Sequence, residues 1–214
     1  RNRRSKIEKI DPPRRYYTSD LVHHYQMGVA ADNPSLEFLS FYHVAEHLFE
    51  SVFNENIIEN IKNMITQPEF SYRRKRDIKS IIKEVKNRFR YRSENVEFDE
   101  NEALKLTLRK YVSLSDIREK VKEYDETLID HYKINEVSFS GGNTINLEND
   151  DEEAELGSIA TRIYKTRNAI VHSKESYSNR YIPFKHDREL IKEIPLVRFV
   201  SESIITETSK TIKS

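Results

Sequence analysis

The chain contains no cysteine in its 214 residues, so disulfides, thiolate nucleophiles and cysteine-ligated zinc or iron–sulfur centres are excluded. Glycine is nearly as scarce, at four residues, and proline stops at six. With so few punctuating residues the elements are expected to be long and mostly helical. No window approaches the roughly 18–20 uninterrupted apolar residues that a transmembrane helix needs, and the opening residues do not read as a signal peptide. A cytoplasmic location without membrane contact is the expectation. Neither sign of charge is in excess, since 36 Lys and Arg balance 36 Asp and Glu. Apolar residues make up 36%, below the ~45–50% of an average globular domain, and charged residues make up 34%. That composition predicts apolar stripes rather than elements apolar all round. The length suits one sizeable domain or two small ones. The sequence opens on Arg1 rather than Met, and we expect it to be part of a longer polypeptide.

Zero net charge hides a segregated pattern. From Arg1 to Arg15 seven basic residues face Glu8 and Asp11, and Asp11-Pro12-Pro13 stops any helix from continuing. Residues 1–17 therefore read as a basic arm or linker, and residues 18–214 as a single domain. From Ser71 to Arg92 ten basic residues face only Asp77 and Glu84, with Tyr72, Phe89 and Tyr91 interleaved. Acid gathers in Glu94 to Glu102 and in the run Glu148, Asp150, Asp151, Glu152, Glu153, Glu155.

Asn33-Pro34 opens a helix, because Asn caps free amides and Pro fits the first helical position. Leu36 and Leu39 open one line of that helix, and Phe38, Phe41, Ala45, Leu48, Phe49 and Val52 make its apolar side wide, which predicts a central place. A 3.6-residue period also marks helices at about Ser19–Ala31, Asn56–Ile65, Lys75–Tyr91, Asn101–Lys110 and Ser115–Tyr132. Val137, Phe139, Ile145 and Leu147 alternate around Ser140-Gly141-Gly142-Asn143, which reads as a two-stranded hairpin. Asp150 or Asp151 then caps a helix with an acidic first turn, expected to end near Ser173. A last helix spans about Asp187 to Thr208, with a kink expected at Pro195.

The helix that begins at Asp151 ends in Arg167-Asn168-Ala169-Ile170-Val171-His172. An always-charged guanidinium neutralises a phosphate, and an imidazole moves a proton near neutral pH. Asn168 and His172 stand four apart on one helical face, whereas Arg167 and His172 are five apart, about 140° round an ideal helix. Arg167 must therefore reach round, or the helix must end early. A helix C-terminus favours an imidazolium, which suits a general acid. Arg180 and His186 show a similar spacing across Pro183, without a regular helix, and read as coincidence. The bland reading of Arg167 is a helix-end cation paired with the acidic run.

The stretch Ile163 to His172, late in a helical chain, resembles the signature of the HEPN superfamily: Arg, four to six residues, then His, with a polar residue directly after the Arg. Arg167, Asn168 and His172 fill those places. The Asn33–Phe38 helix with Phe41-Tyr42-His43 more loosely resembles the N-terminal helix of some HEPN proteins of prokaryotic defence. The resemblance implies an all-α, HEPN-like helical bundle, here with additional helices and one small β-hairpin insertion. It also implies a metal-independent endoribonuclease of an antiviral defence or toxin system, working as a homodimer in which two motifs face one cleft. An antitoxin or an activating domain in the full-length protein is a further implied partner. RNA cleavage by its own 2′-hydroxyl needs a base, an acid and positive charge at phosphorus. One motif supplies one His, so two motifs across a two-fold axis complete the set. By the resemblance Arg167 and His172 are catalytic, and Asn168 orients the imidazole or the phosphate. One HEPN subgroup carries a Tyr two residues after the His, where Lys174 stands here, so that subgroup's control mechanism is not implied.

Two alternatives stand beside this reading. The first is a HEPN-like module that binds RNA or protein, and dimerises, without cleaving. The second is a zinc metalloprotease, because His43-Val44-Ala45-Glu46-His47 spells His-x-x-Glu-His. Against the second, the motif lies among packed apolar residues and no third ligand is marked, so no metal and no cofactor are expected. His43 or Glu46 is instead a candidate lining residue of the ribonuclease cleft. The basic segment offers RNA contacts at Arg73, Arg74, Lys75 and Arg76, with Tyr72 stacking on a base; its bland reading is a solvated helix face.

Overall fold

A computed structural model describes residues 14–92, 95–172 and 179–212. Most of the basic arm, residues 1–13, and the segment 173–178 with Lys174 lie outside the described residues. The helices among the described residues are α1 (Ser19–Ala30), α2 (Pro34–Glu46), α3 (Phe49–Ile65), α4 (Lys75–Arg88), α5 (Glu100–Tyr111), α6 (Leu114–Asp125), α7 (Thr127–Ile134), α8 (Glu152–Val171) and α9 (Asp187–Glu207). Four short strands join them: β1 (Arg15–Tyr16), β2 (Phe89–Arg92), β3 (Asn95–Phe98) and β4 (Lys210–Thr211). The all-α class is therefore correct. No helix among the described residues is long and apolar enough to cross a membrane.

The central helix is α2. Its start follows the sequence closely, with Pro34 in the first turn and the Asn33 side chain accepting from the Ser35 and Leu36 amides at 2.9 and 3.4 Å. Phe38, Phe41, Tyr42, Val44 and Ala45 are buried along it. Helices α2, α9, α5 and α8 touch in a ring, α1 lies against α2 and α9, and α3 lies against α5. Leu104, Leu108, Ile159, Ile163, Leu196 and Val200 fill the space between. The burial of this many aliphatic and aromatic side chains, each contributing roughly 1.5–3 kcal/mol, is what holds the bundle. Pro195 sits buried inside α9 and leaves the Ile191 carbonyl without its usual amide donor.

Two helices expected as single rods are broken. One stops at Glu46 and resumes at Phe49 without any proline or glycine to mark the place. The other, expected over Ser115–Tyr132, divides at Glu126 because Asp125 accepts from both the Thr127 amide and the Thr127 hydroxyl, at 3.0 and 2.6 Å. That local turn competes with the helical ladder.

The hairpin expected around Ser140–Asn143 does not form. Val137, Phe139, Ile145 and Leu147 are all buried, as their alternation required, but one bridge, Val137 to Gly142, is all the pairing present. The backbone carbonyls of Asn135 and Asn143 instead accept from Arg162 Nη1, at 2.8 and 2.7 Å. A buried guanidinium has taken acceptors that a ladder would use. The two-stranded hairpin lies earlier, where β2 and β3 pair antiparallel from Phe89 opposite Phe98 to Arg92 opposite Asn95. It ends α4 at Arg88, three residues before the expected limit. The last residues of the basic arm also enter the fold, since β1 pairs antiparallel with β4 and brings Arg15 opposite Thr211.

Candidate functional site

Helix α8 begins where its sequence places it. Asp151 caps it by accepting from the Ala154 amide at 3.0 Å, and Glu152, Glu153 and Glu155 occupy the first turn. These acids are more than a solvated run. Glu152 accepts from the Leu114 amide at 2.7 Å and so caps α6, while buried Glu155 accepts from the Asn146 amide at 2.6 Å and pins the preceding loop.

Sixteen residues on, Arg167 projects between α2 and α5. Its Nη2 lies 3.1 Å from Glu46 Oε1 and its Nη1 lies 3.4 Å from Glu100 Oε2. The same Nη1 donates to Asn168 Oδ1 at 3.1 Å, and the guanidinium carbon stands 5.3 Å over the ring of Tyr42. The bland sequence reading, a pair with the acidic run at residues 148–155, does not hold, because the partners come from the ends of two other helices. Arg167 Nε and the Tyr42 hydroxyl are buried here without a hydrogen-bond partner among the described residues. Burial pushes the Tyr42 phenol far above the ordinary tyrosine range, so it stays protonated and available as a donor.

The Glu46 carboxylate is shared. Its second oxygen lies 2.5 Å from His43 Nδ1, one turn back on α2. That hydrogen bond holds the Glu46 carboxyl below the ordinary glutamate range, against the opposing effect of burial and with further help from Arg167. His24 of α1 stacks at a tilt on His43, with ring centroids 5.4 Å apart. Burial, then repulsion from His43 and His47, lowers the pKa of His24. His43 and Glu46 of the His-x-x-Glu-His sequence thus face the Arg167 site, whereas exposed His47 follows the end of α2. Among the described residues no group of three or more His, Cys, Asp or Glu side chains is disposed to hold a metal ion.

His172 ends α8. Its backbone leaves helical geometry at φ −100° and ψ 74°, and its amide donates to the Asn168 carbonyl at 2.9 Å. The helix stays regular through Val171, close to the expected end near Ser173, so Arg167 and His172 keep their five-residue separation on it. The imidazole is exposed and has no hydrogen bond or ion pair among the described residues. Asn168 orients Arg167 through its side chain and touches His172 through its backbone.

The basic segment is organised by one acid. Asp77 accepts from the Ser71 amide at 2.9 Å and pairs with Arg74 Nε at 2.8 Å and Arg76 Nε at 3.2 Å. The Ser71 amide and then the two arginines hold its carboxyl below the ordinary aspartate range. Lys75 is exposed, as is Tyr72 at 72%, and Arg73 lies 5.6 Å over the Tyr72 ring. No hydrogen bond or ion pair among the described residues links this segment to Arg167, Asn168 or His172. The side chains of Arg88, Arg90, Tyr91 and Arg92 lie outside the described residues.

Sequence reasoning did not single out Tyr42 or Glu100 as partners of Arg167. Tyr42 reads as core from its spacing, and Glu100 as one more acid in a local cluster; neither position carries a local signal of the tertiary contact. No protein-family model, curated protein or solved structure matches the chain.

Proposed function

We propose that the chain is a metal-independent endoribonuclease domain of the HEPN type, acting as a homodimer in a prokaryotic defence or toxin system. The observation that carries the reading is the contrast along the last turn of α8. Arg167 is held by Glu46, Glu100 and Asn168 over Tyr42, and His172, five residues on, is exposed and unengaged. A fixed cation and, five residues on, a free imidazole are what one copy would contribute to phosphodiester cleavage by 2′-hydroxyl attack, the second imidazole coming from the other copy. The ring of α2, α9, α5 and α8 is compatible with the bundle implied by the sequence resemblance.

A second reading has its own support. A guanidinium engaged by two carboxylates is already neutralised, which favours a binding and dimerisation module without cleavage. The two separate in one experiment: RNA cleavage by the purified protein in EDTA. The ribonuclease reading expects cleavage there, and Arg167→Ala and Arg167→Lys are expected to slow it with modest change in RNA affinity. A contact to the developing phosphorane acts mainly in the transition state. Absence of cleavage with RNA binding retained overturns the enzyme in favour of the module.

The basic segment is expected to behave differently. Charge removal at Arg73, Arg74 and Arg76 should weaken RNA binding and flatten its salt dependence, by about 0.7 in log–log slope per lost phosphate contact on a single strand. Because Asp77 already engages Arg74 and Arg76, the larger part of the effect is expected from Arg73. Titrations at two salt concentrations measure it; an unchanged slope makes this face solvated surface.

A further inference from the structure

Among the described residues Phe184 is the one non-glycine residue with positive φ, at 65°. A bulky side chain in the left-handed region strains the backbone, and such strain persists where the surroundings over-determine it. The surroundings do so here. The Phe184 amide donates to Asp187 Oδ1 at 2.8 Å, and the Tyr181 hydroxyl donates to the same oxygen at 2.6 Å. The Ile182 amide donates to His186 Nδ1 at 2.9 Å, and the His186 amide returns to the Ile182 carbonyl at 3.0 Å. The His186 ring stacks on buried Phe139, with centroids 5.2 Å apart and planes 14° apart.

This braced turn presents Phe184 at 91% exposure, so the phenyl ring contributes almost nothing to the core. The braced turn accounts for the φ but not for the phenyl side chain, since glycine at this φ would be more comfortable. Lys185 follows Phe184 directly and Arg188 stands four residues on, both exposed and without an ion-pair partner among the described residues. An uncovered aromatic ring with exposed cations close by in the chain suits single-stranded nucleic acid, the ring taking a base and the cations the phosphates. A duplex, whose bases are already stacked, offers no such face.

The turn is also fixed relative to the candidate site. The Tyr181 amide donates to the Ala169 carbonyl on the last turn of α8, at 2.9 Å. Phe184 is three residues beyond Tyr181 and His172 three beyond Ala169, which keeps the two within roughly 20 Å. We propose that Phe184 is a stacking platform for an unpaired base of the RNA, seating the strand a few nucleotides from the bond cleaved near His172. The proposal rests on the ribonuclease reading for its substrate, and it names that substrate as single-stranded.

The chain has no tryptophan, so Phe184→Trp places a unique fluorophore at the turn. The probe is a short 2′-O-methyl oligoadenylate, which binds without being cleaved by 2′-hydroxyl attack. Its single strand is expected to quench the fluorescence to saturation, and the same strand annealed to its complement to leave it unchanged. Phe184→Ala is expected to weaken single-strand binding by roughly 5- to 150-fold, the range for loss of one stacked base, while Phe184→Tyr retains it. Phe184→Gly is expected to lose the same affinity with a melting temperature at or above wild type, a combination that a structural role does not produce. Unquenched fluorescence with wild-type affinity in Phe184→Ala overturns the platform; if RNA is still cleaved and His172→Ala still abolishes cleavage, the ribonuclease reading stands alone. Quenching by RNA in a protein that never cleaves keeps the platform and removes the enzyme. A change from dimer to monomer in Phe184→Ala, seen by sedimentation, makes the turn an interface between copies and overturns the proposal.

Discussion

Replacement of His172 by alanine is expected, on the ribonuclease reading proposed above, to slow RNA cleavage by about 10²–10⁴-fold, the usual contribution of a positioned general acid or base, without lowering the melting temperature. The two halves of that expectation come from different observations. The imidazole is exposed and makes no hydrogen bond or ion pair among the described residues, so its removal is expected to cost the fold little, and the backbone amide that bonds to Asn168 is unaffected. In the proposed mechanism the rate falls because transfer of a proton from the 2′-hydroxyl, or to the departing 5′-oxygen, loses its carrier. One motif provides one such His. The composite mechanism therefore also expects a symmetric dimer in sedimentation, with α8 at the interface. Single-turnover cleavage at the wild-type rate removes His172 from the mechanism, and a fully active monomer removes the composite site.

How far the sequence carries can be seen within this one helix. A cap at Asp150 or Asp151, the acidic first turn and an end near Ser173 were all legible, within two residues of what forms, because helix termini are written in local residue types. The partners of Arg167 were not. Glu46 stands 121 residues away and Glu100 stands 67 away, and no periodicity links them. His-x-x-Glu-His drew attention for a metal-binding pattern, yet the pair it contributes is a carboxylate shared between His43 and Arg167. The alternation at residues 137–147 forecast which side chains are buried and failed on pairing, since the side chain of Arg162 decides where those carbonyls are satisfied. Phe184 gave no signal, because left-handed φ at a phenylalanine is imposed by Asp187, Tyr181 and His186 in space.

The same limit applies to Arg162 and Glu193, which composition would place on the surface and the fold places at its centre. Arg162 is fully buried and Glu193 nearly so. Nε donates to Glu193 Oε2 at 2.7 Å and Nη2 to Oε1 at 2.8 Å, while the guanidinium carbon stands 5.3 Å over the Tyr132 ring. With the two carbonyls taken by Nη1, one guanidinium ties α8, α9 and the loop after α7 together. Removing either partner strands an opposite charge in the core, so Arg162→Met and Glu193→Gln are each expected to cost about 3–5 kcal/mol. For a chain of this size that lowers the melting temperature by roughly 6–20 °C. Removing both charges, in Arg162→Met with Glu193→Leu, should recover part of the loss, though the Asn135 and Asn143 carbonyls remain without their donor. Burial pushes the Glu193 carboxyl up, and the hydrogen bonds and charge of Arg162, with His131 alongside, outweigh it, so it titrates below its ordinary 4.5. A carboxyl depressed in the folded state stabilises fully above its unfolded value and loses that contribution as pH falls through the folded one. Wild-type stability should accordingly decline with acid below about pH 4.5, and Glu193→Gln should lack that part of the decline. Urea unfolding across pH measures both, and a Glu193→Gln protein within 1 kcal/mol of wild type at neutral pH would show that the pair is dispensable.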